Sequence, residues 1–465
     1  MHYKEIKSRK MGIKQHFRIS GFGSKIAATN IVFVANAIVW YASILMVLES
    51  TIGHVGEETW LKPESQIIIW CIHFAALIFS ALIGAKISKR ISRMRFLLVW
   101  MTLNVASSLT LFGLNYTNPI ITASLVILYG VSFGIGMPTC MSNYSDSIPV
   151  EKRGRISGLI MLISGIGIFA FAAAPIGSLE IGIALSIWRL SSLVVLLAFR
   201  LSVKVDFKKG ATSFKHVLGQ RSFLAYYIPW VLFSFVNFLV PLQPTAAGET
   251  AETTLLIQTV FLGIFAVVGG FLLDTIGRKR IAIAGFVMLG LSAAARGIIP
   301  PNIVSITYFS AIFEGTAWGL LLVLFLLTLW GDLSYSFSSD KYYALGVVPF
   351  FVSMLIQVTI GEQIAINISN QGQLFSFAAF FLFVAVLPLF YATETLPERL
   401  MKERDLKSYA EKALKNAQKE AGKGKQKEDD KTEAQKSELW KYQDSIKDEV
   451  FQLAKNCLQR NNIIW

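Results

Sequence analysis

About twelve long apolar runs, each near the length of a bilayer-spanning helix, are separated by short polar loops along the 465-residue chain. Roughly 20 apolar residues in a helix cross the hydrocarbon core of a membrane. Inside hydrocarbon the backbone must satisfy its own hydrogen bonds, so each run is read as a helix. The runs are 26–48, 65–83, 96–114, 119–139, 159–177 and 184–203, then 223–242, 254–273, 281–299, 304–329, 345–366 and 374–391. Charged residues make up 16% of the chain, against about a quarter in soluble proteins, and they gather at the ends and in the loops. The expected fold class is an all-α polytopic membrane protein with twelve transmembrane helices.

The loops set the orientation. Lys86, Lys89, Arg90, Arg93 and Arg95 follow the second run, Arg153 and Arg155 follow the fourth, and five cations lie in 204–221. Loops after odd-numbered runs are acidic or neutral. By the positive-inside rule both termini are cytosolic, in the cytoplasmic membrane. The basic segment 1–25 precedes a run too long for a cleaved signal sequence, so 26–48 is the first span. The net charge of +14 is thereby explained by topology, and no nucleic-acid partner is expected. Cys71, Cys140 and Cys457 show neither disulfide nor metal spacing. No metal, cofactor or enzymatic activity is expected: no catalytic pair and no nucleotide-binding loop is found.

One loop is unusually specific. Residues 269–280 read Gly-Gly-Phe-Leu-Leu-Asp-Thr-Ile-Gly-Arg-Lys-Arg between two apolar runs. A long internal repeat accompanies it. Gly84 and Gly270 stand 186 residues apart, as do Asp146 and Asp332, whereas Arg153 and Lys341, and Gly158 and Gly346, stand 188 apart. From about residue 26 to 391 the chain resembles the major facilitator superfamily of secondary transporters. The resemblance rests on Gly270-x-x-x-Asp274-x-x-Gly277-Arg278-Lys279-Arg280 and on Tyr144-x-Asp146-x-x-Pro149-x-x-x-Arg153-Gly154-x-x-x-Gly158. Trp188-Arg189 and Glu394-Thr-Leu-Pro-Glu398 are weaker echoes. The first copy of the loop departs from the pattern, with Ser88 in place of the acid and Ile91 in place of the second glycine.

The resemblance and the repeat imply two pseudo-symmetric six-helix bundles. The expected organisation is a basic arm (1–25), an N-terminal half (26–203), a central loop (204–222), a C-terminal half (223–391) and a charged cytosolic tail (392–465). In the tail Leu439, Tyr442, Ile446, Val450, Leu453 and Cys457 recur at helical spacing. That face would rest on the protein or on lipid, or would receive a cytosolic partner. The molecule is expected to act as a monomer in the lipid bilayer.

In the family the signature loop latches the cytosolic side. A carboxylate at Asp274 could accept from a helix N-terminus or pair with an arginine. By the repeat it should face Arg153 and Arg155, in a partly solvated pair. Gly270, Asp274, Gly277, Arg278, Lys279, Arg280, Asp146, Arg153, Arg155, Asp332 and Lys341 are the candidate cytosolic gate. Alternatively the loop cations only fix topology.

Spans one, four, seven and ten line the substrate cavity in the family. Glu314 lies about 15 Å into the tenth run at 1.5 Å per residue, near the bilayer centre, where an acid is expensive and by default functional. Trp318, Thr307 and Ser310 share its helical face. Glu314 could carry a coupling proton, touch a cationic substrate or pair with an arginine. Asn36, Asn237 and Gln357 are further cavity candidates or interhelical hydrogen bonders. His73 is read as a packed histidine or a relay, and Arg189, Arg296 and Glu362 as snorkelling residues near outer helix ends. The small-residue stretch 165–177 favours close helix contact. The expected function is a secondary transporter of a small solute, proton-coupled. An uncoupled facilitator and a sensor signalling through the tail are the alternatives.

Overall fold

A computed structural model describes residues 2–55, 63–113, 119–174, 178–198, 212–239, 249–299, 304–334, 337–361, 371–396, 406, 413, 442–450 and 452. Side chains of 2–25 and of some residues beside the gaps fall outside this set. Residues Met1–Thr395 form one compact unit and Leu396–Trp465 a second. In the second, 442–450 is helical and mostly exposed, with Ile446 the more covered position. Leu439, Leu453 and Cys457 of the expected amphipathic face lie outside the described residues.

The first unit is built of helices. They are α1 (His2–Val55), α2 (Pro63–Ile87), α3 (Arg93–Leu109), α4 (Pro119–Gly134), α5 (Met137–Ser147), α6 (Val150–Ala173), α7 (Ser178–Ala198), α8 (Phe214–Leu218) and α9 (Arg221–Leu239). There follow α10 (Glu249–Thr275), α11 (Arg278–Ile298), α12 (Val304–Leu322), α13 (Leu329–Leu333), α14 (Asp340–Gly346), α15 (Val348–Ile356), α16 (Gln371–Val384) and α17 (Val386–Tyr391). Among the described residues, ten segments are long and apolar enough to cross a membrane. Two shorter helices, α3 and α9, stand where the third and seventh spans are expected.

Polar turns extend several helices past their apolar runs. α6 begins at Val150 rather than near 159, so Arg153 and Arg155 are helical and only Ile148 and Pro149 separate α5 from α6. Pro149 suits this corner, because it has no N–H to leave unpaired at a helix start. The fourth run divides at Ile135-Gly136, where a side chain on Gly136 would strike the Trp100 ring. Trp100 Nε1 also donates to Ser132 O, 2.6 Å, beside the break. Wide π turns, Val323–Thr328 and Gln357–Gly361, interrupt the tenth and eleventh runs. Such turns often mark functional sites, and the apolar pattern gives no sign of them.

α1 packs on α5, α6 and α7, and α2 on α4. α10 packs on α12, and α11 on α12 and α16. Helices from the two copies of the repeat also meet: α6 with α10, α5 with α13 and α14, and α2 with α14 and α15. The α6–α10 approach is close. A Cβ on Gly154 would lie 2.5 Å from Gly270 O, and one on Gly158 2.5 Å from Ala266 O. Small residues let membrane helices touch backbone to backbone. The 165–177 stretch takes little part in this: a Cβ on Gly165 would meet nothing, and one on Gly167 would meet Val39 of α1.

Candidate functional site: a buried polar latch and two intramembrane charge sites

Ile276 and Gly277 join α10 to α11, and Gly277 sits at φ +113°, a left-handed conformation that favours glycine. That turn places Asp274 at the end of α10 against the first turns of α6. Asp274 Oδ1 accepts from the Gly154 N–H and Oδ2 from the Arg155 N–H, both at 2.9 Å. Arg278 Nη2 lies 3.2 Å from Oδ1 and Arg155 Nε 3.8 Å from Oδ2. The expected partner helix is therefore the one found. The expected partial solvation is not: the Asp274 side chain is fully buried. The glycine contact explains this, because it brings α6 close enough to exclude water from the carboxylate.

A second carboxylate is shared by two arginines. Asp332 accepts from Arg153 Nη1 and, at 2.9 Å, from Arg278 Nε. Arg278 is itself fully buried and also donates to Leu273 O (2.5 Å) and Val150 O (2.7 Å). Arg153 donates further to Ser145 O and Ile148 O. Buried ions of this kind are tolerable only when paired and hydrogen-bonded throughout. Arg278 and Arg153 thus do more than orient loops. Arg155 is half exposed and lies over the Phe271 ring at 4.6 Å, and Arg280 is exposed.

Glu394 joins this cluster, although its motif is only a weak echo in the sequence. Its carboxylate caps the start of α11, accepting from Arg278 N–H (2.8 Å) and Lys279 N–H (3.1 Å). Lys279 Nζ reaches Phe390 O at 2.8 Å. Thr393 O accepts from Tyr226 OH at 2.9 Å. The helical unit therefore extends past 391, to Thr395.

The other copy of the loop is wired differently. Ser88 Oγ donates to Asp340 Oδ1 at 3.4 Å. Arg93 pairs with Asp146 at 2.9 Å and approaches Asp340 at 3.7 Å. Ser142 and Ser145 bond the Ser339 hydroxyl beside it. Lys341, the repeat counterpart of Arg153, donates to Thr212 O at 2.5 Å and lies over Phe214. Burial first, and then the Lys341 charge, hold the Lys89 ammonium below the ordinary lysine range, with Asp340 pulling it back up.

Deeper in the span, Glu314 turns toward α11. Arg296 Nη2 meets Glu314 Oε2 at 2.9 Å and Ser292 Oγ donates to Oε1 at 3.0 Å. Arg296, expected to snorkel, instead lies over the Phe375 ring and is largely buried. Thr307 and Ser310 are buried on α12, and Trp318 packs edge-on to Phe233 of α9 at 5.0 Å. Gln357 is half-buried at the start of its π turn. The side chain of Asn237, and Glu362, lie outside the described residues.

His73 is fully buried between Tyr41 OH (3.1 Å from Nε2) and Val126 O (3.0 Å from Nδ1). The carbonyl fixes the proton on Nδ1, so Tyr41 donates to Nε2.

Arg189 is the largest correction. It was expected to snorkel at an outer helix end, but it lies mid-way along α7 and is fully buried. The sixth span starts at Ser178, not near 184, and this moves Arg189 inward by more than a turn. Its Nη1 donates to Asn36 Oδ1 at 2.9 Å and its guanidinium lies 4.5 Å from the Trp100 ring centre. With the amide assigned from its hydrogen-bonding surroundings, Asn104 turns its oxygen to Arg189 Nη2 (2.8 Å) and Nε (3.1 Å) and its nitrogen to Ser132 O. Asn36 Nδ2 donates to Trp188 O at 2.6 Å. Asn36 thus binds this cluster.

The described residues thus form a polytopic helical fold with a polar network between helices of its two repeat copies. Residues 4–172 match the model of the Major Facilitator Superfamily. A comparison with curated proteins found no match.

Proposed function

We propose that this protein is a secondary active transporter of a small solute, working by alternating access across the cytoplasmic membrane. Twelve spans form two halves, 26–203 and 223–391, with both termini cytosolic and the Asp274 network on the cytosolic side. The supporting observation is that Asp274 of α10 is held by the backbone N–H groups of Gly154 and Arg155 on α6. Bonds of this type can be broken and remade as the halves rock. Asp332, shared between Arg153 and Arg278, adds a second tie between the repeat copies.

Transport is coupled to protons through Glu314. Protonating its carboxylate would release Arg296 and Ser292, which gives a proton a mechanical consequence inside the membrane. One observation favours a second reading, the uncoupled facilitator: Glu314 already has a cation and a hydroxyl and can serve as a structural tie. Counterflow in proteoliposomes, followed with and without an imposed pH gradient, separates the two. Coupled transport predicts gradient-driven accumulation that Glu314→Gln abolishes while counterflow persists. Accumulation unchanged in Glu314→Gln overturns the coupling role, and absence of any flux overturns transport.

A further inference from the structure

We infer that the transported solute carries a negative charge and is selected by Arg189; this rests on the transport reading and names its substrate class. Glu314 by itself points to cationic solutes, but its charge is cancelled by Arg296 at 2.9 Å. Arg189 has no such partner. Its polar neighbours are Asn36 and Asn104, its aromatic neighbours are Trp40 and Trp100, and among the described residues no carboxylate acts on it. The cage satisfies the N–H groups and leaves the charge whole.

A fully buried cation without a counter-ion is a poor structural choice, because an apolar residue of similar volume would avoid the desolvation cost. It makes sense as a field. In a low-dielectric interior a bare charge acts over many ångströms. Arg189 sits at the eleventh of the 21 positions after α7 opens, Ser178 being the zeroth, roughly 17 Å along at 1.5 Å per residue. It donates to Asn36 of α1, a residue expected from the sequence to face the cavity. The fork that now converges on one amide oxygen of Asn104, through Nη2 and Nε, has the geometry that a carboxylate binds with two oxygens.

The test uses purified full-length protein and charge-matched probes: acetate, benzoate and succinate, each beside its amide and its amine counterpart. Thermal-shift titration reads binding, and proteoliposome flux reads transport. The wild type should bind at least one carboxylate at least tenfold more tightly than its amide or amine. Arg189→Gln should lose that preference and Arg189→Lys should keep part of it. Asn104→Asp retains the arginine and supplies a counter-charge at the same place, so it tests the field even if Arg189→Gln does not fold. Carboxylate affinity should fall at least tenfold in Asn104→Asp. The inference is overturned if amines or amides bind as well as carboxylates, if Asn104→Asp leaves carboxylate binding unchanged, or if no probe of any charge binds. Flux of a neutral or cationic solute sinks this inference and leaves transport standing. Tight carboxylate binding that is lost in Asn104→Asp, with no flux of any solute, supports the anion site and sinks transport.

Discussion

Ser88 and Asp340 are 252 residues apart in sequence, and the Ser88 hydroxyl donates to Asp340 Oδ1 at 3.4 Å. Position 88 is where the repeat would put the counterpart of Asp274. The acid missing from that loop is thus supplied from the start of α14, where Arg93 also approaches it. The Asp274 side is therefore not the sole tie. Restoring the acid by Ser88→Asp should harm the protein, because two carboxylates would face each other. We expect reduced transport and a lower melting temperature for Ser88→Asp, and recovery in Ser88→Asp/Asp340→Ser. Failure of the double variant to recover would show that the two positions are uncoupled.

Asp274→Asn should loosen the α6–α10 junction. The amide keeps the shape but turns its NH2 on one of the two backbone donors and leaves Arg278 short of one negative partner. Breaking a buried pair from one side costs about 3–5 kcal/mol. In a cysteine-free background carrying Ser157→Cys, the loss should raise labelling by a membrane-impermeant maleimide from the cytosolic side by roughly tenfold or more. Lower transport with unchanged labelling would place the role of the loop elsewhere.

Gly154→Ala tests the same junction without touching a charge. The new methyl would lie 2.6 Å from Asp274 Oδ1 and 2.5 Å from Gly270 O. Overpacking of this kind costs about 1–3 kcal/mol. The labelling at Ser157→Cys should rise as in Asp274→Asn, whereas Gly165→Ala, with open space around it, should leave it at the wild-type level.

Glu314 and Arg296 should show strong non-additivity. Either Glu314→Gln or Arg296→Gln leaves a charge in a covered site, while the double change leaves two amides. Melting temperatures of the four proteins form a double-mutant cycle, and we expect a coupling of about 0.5–3 kcal/mol. Simple additivity would mean that the 2.9 Å pair contributes nothing.

Much of the fold was legible because hydrocarbon enforces helices. The Asp274–α6 junction was legible for a related reason: an acid in a basic loop serves no topological purpose and so needs a partner, and the repeat indicated where. Pairings that depend on how helices rotate against one another were not legible. Glu314 could be placed by depth, but its partner depended on which face of α11 met α12. Arg189 was misplaced because Ser178 to Gly182 is only moderately apolar, so the apolar run starts later than the helix. Asp340 was missed because its partners Ser88, just past α2, and Arg93, at the start of α3, lie far back in the chain.

In the proposed alternating-access cycle, the glycine contact between α6 and α10 would also shape how the closed state ends. Flexible side chains could stretch and follow a receding neighbour, but two bare backbones cannot. A gap of roughly 0.5–1 Å already forfeits a quarter to a half of each van der Waals contact, and the hydrogen bonds to Asp274 weaken over the same displacement. The junction should therefore behave as a brittle clasp that holds nearly full strength and then lets go. Its barrier would lie close to the shut position, so mutations there should accelerate opening far more than they slow closing.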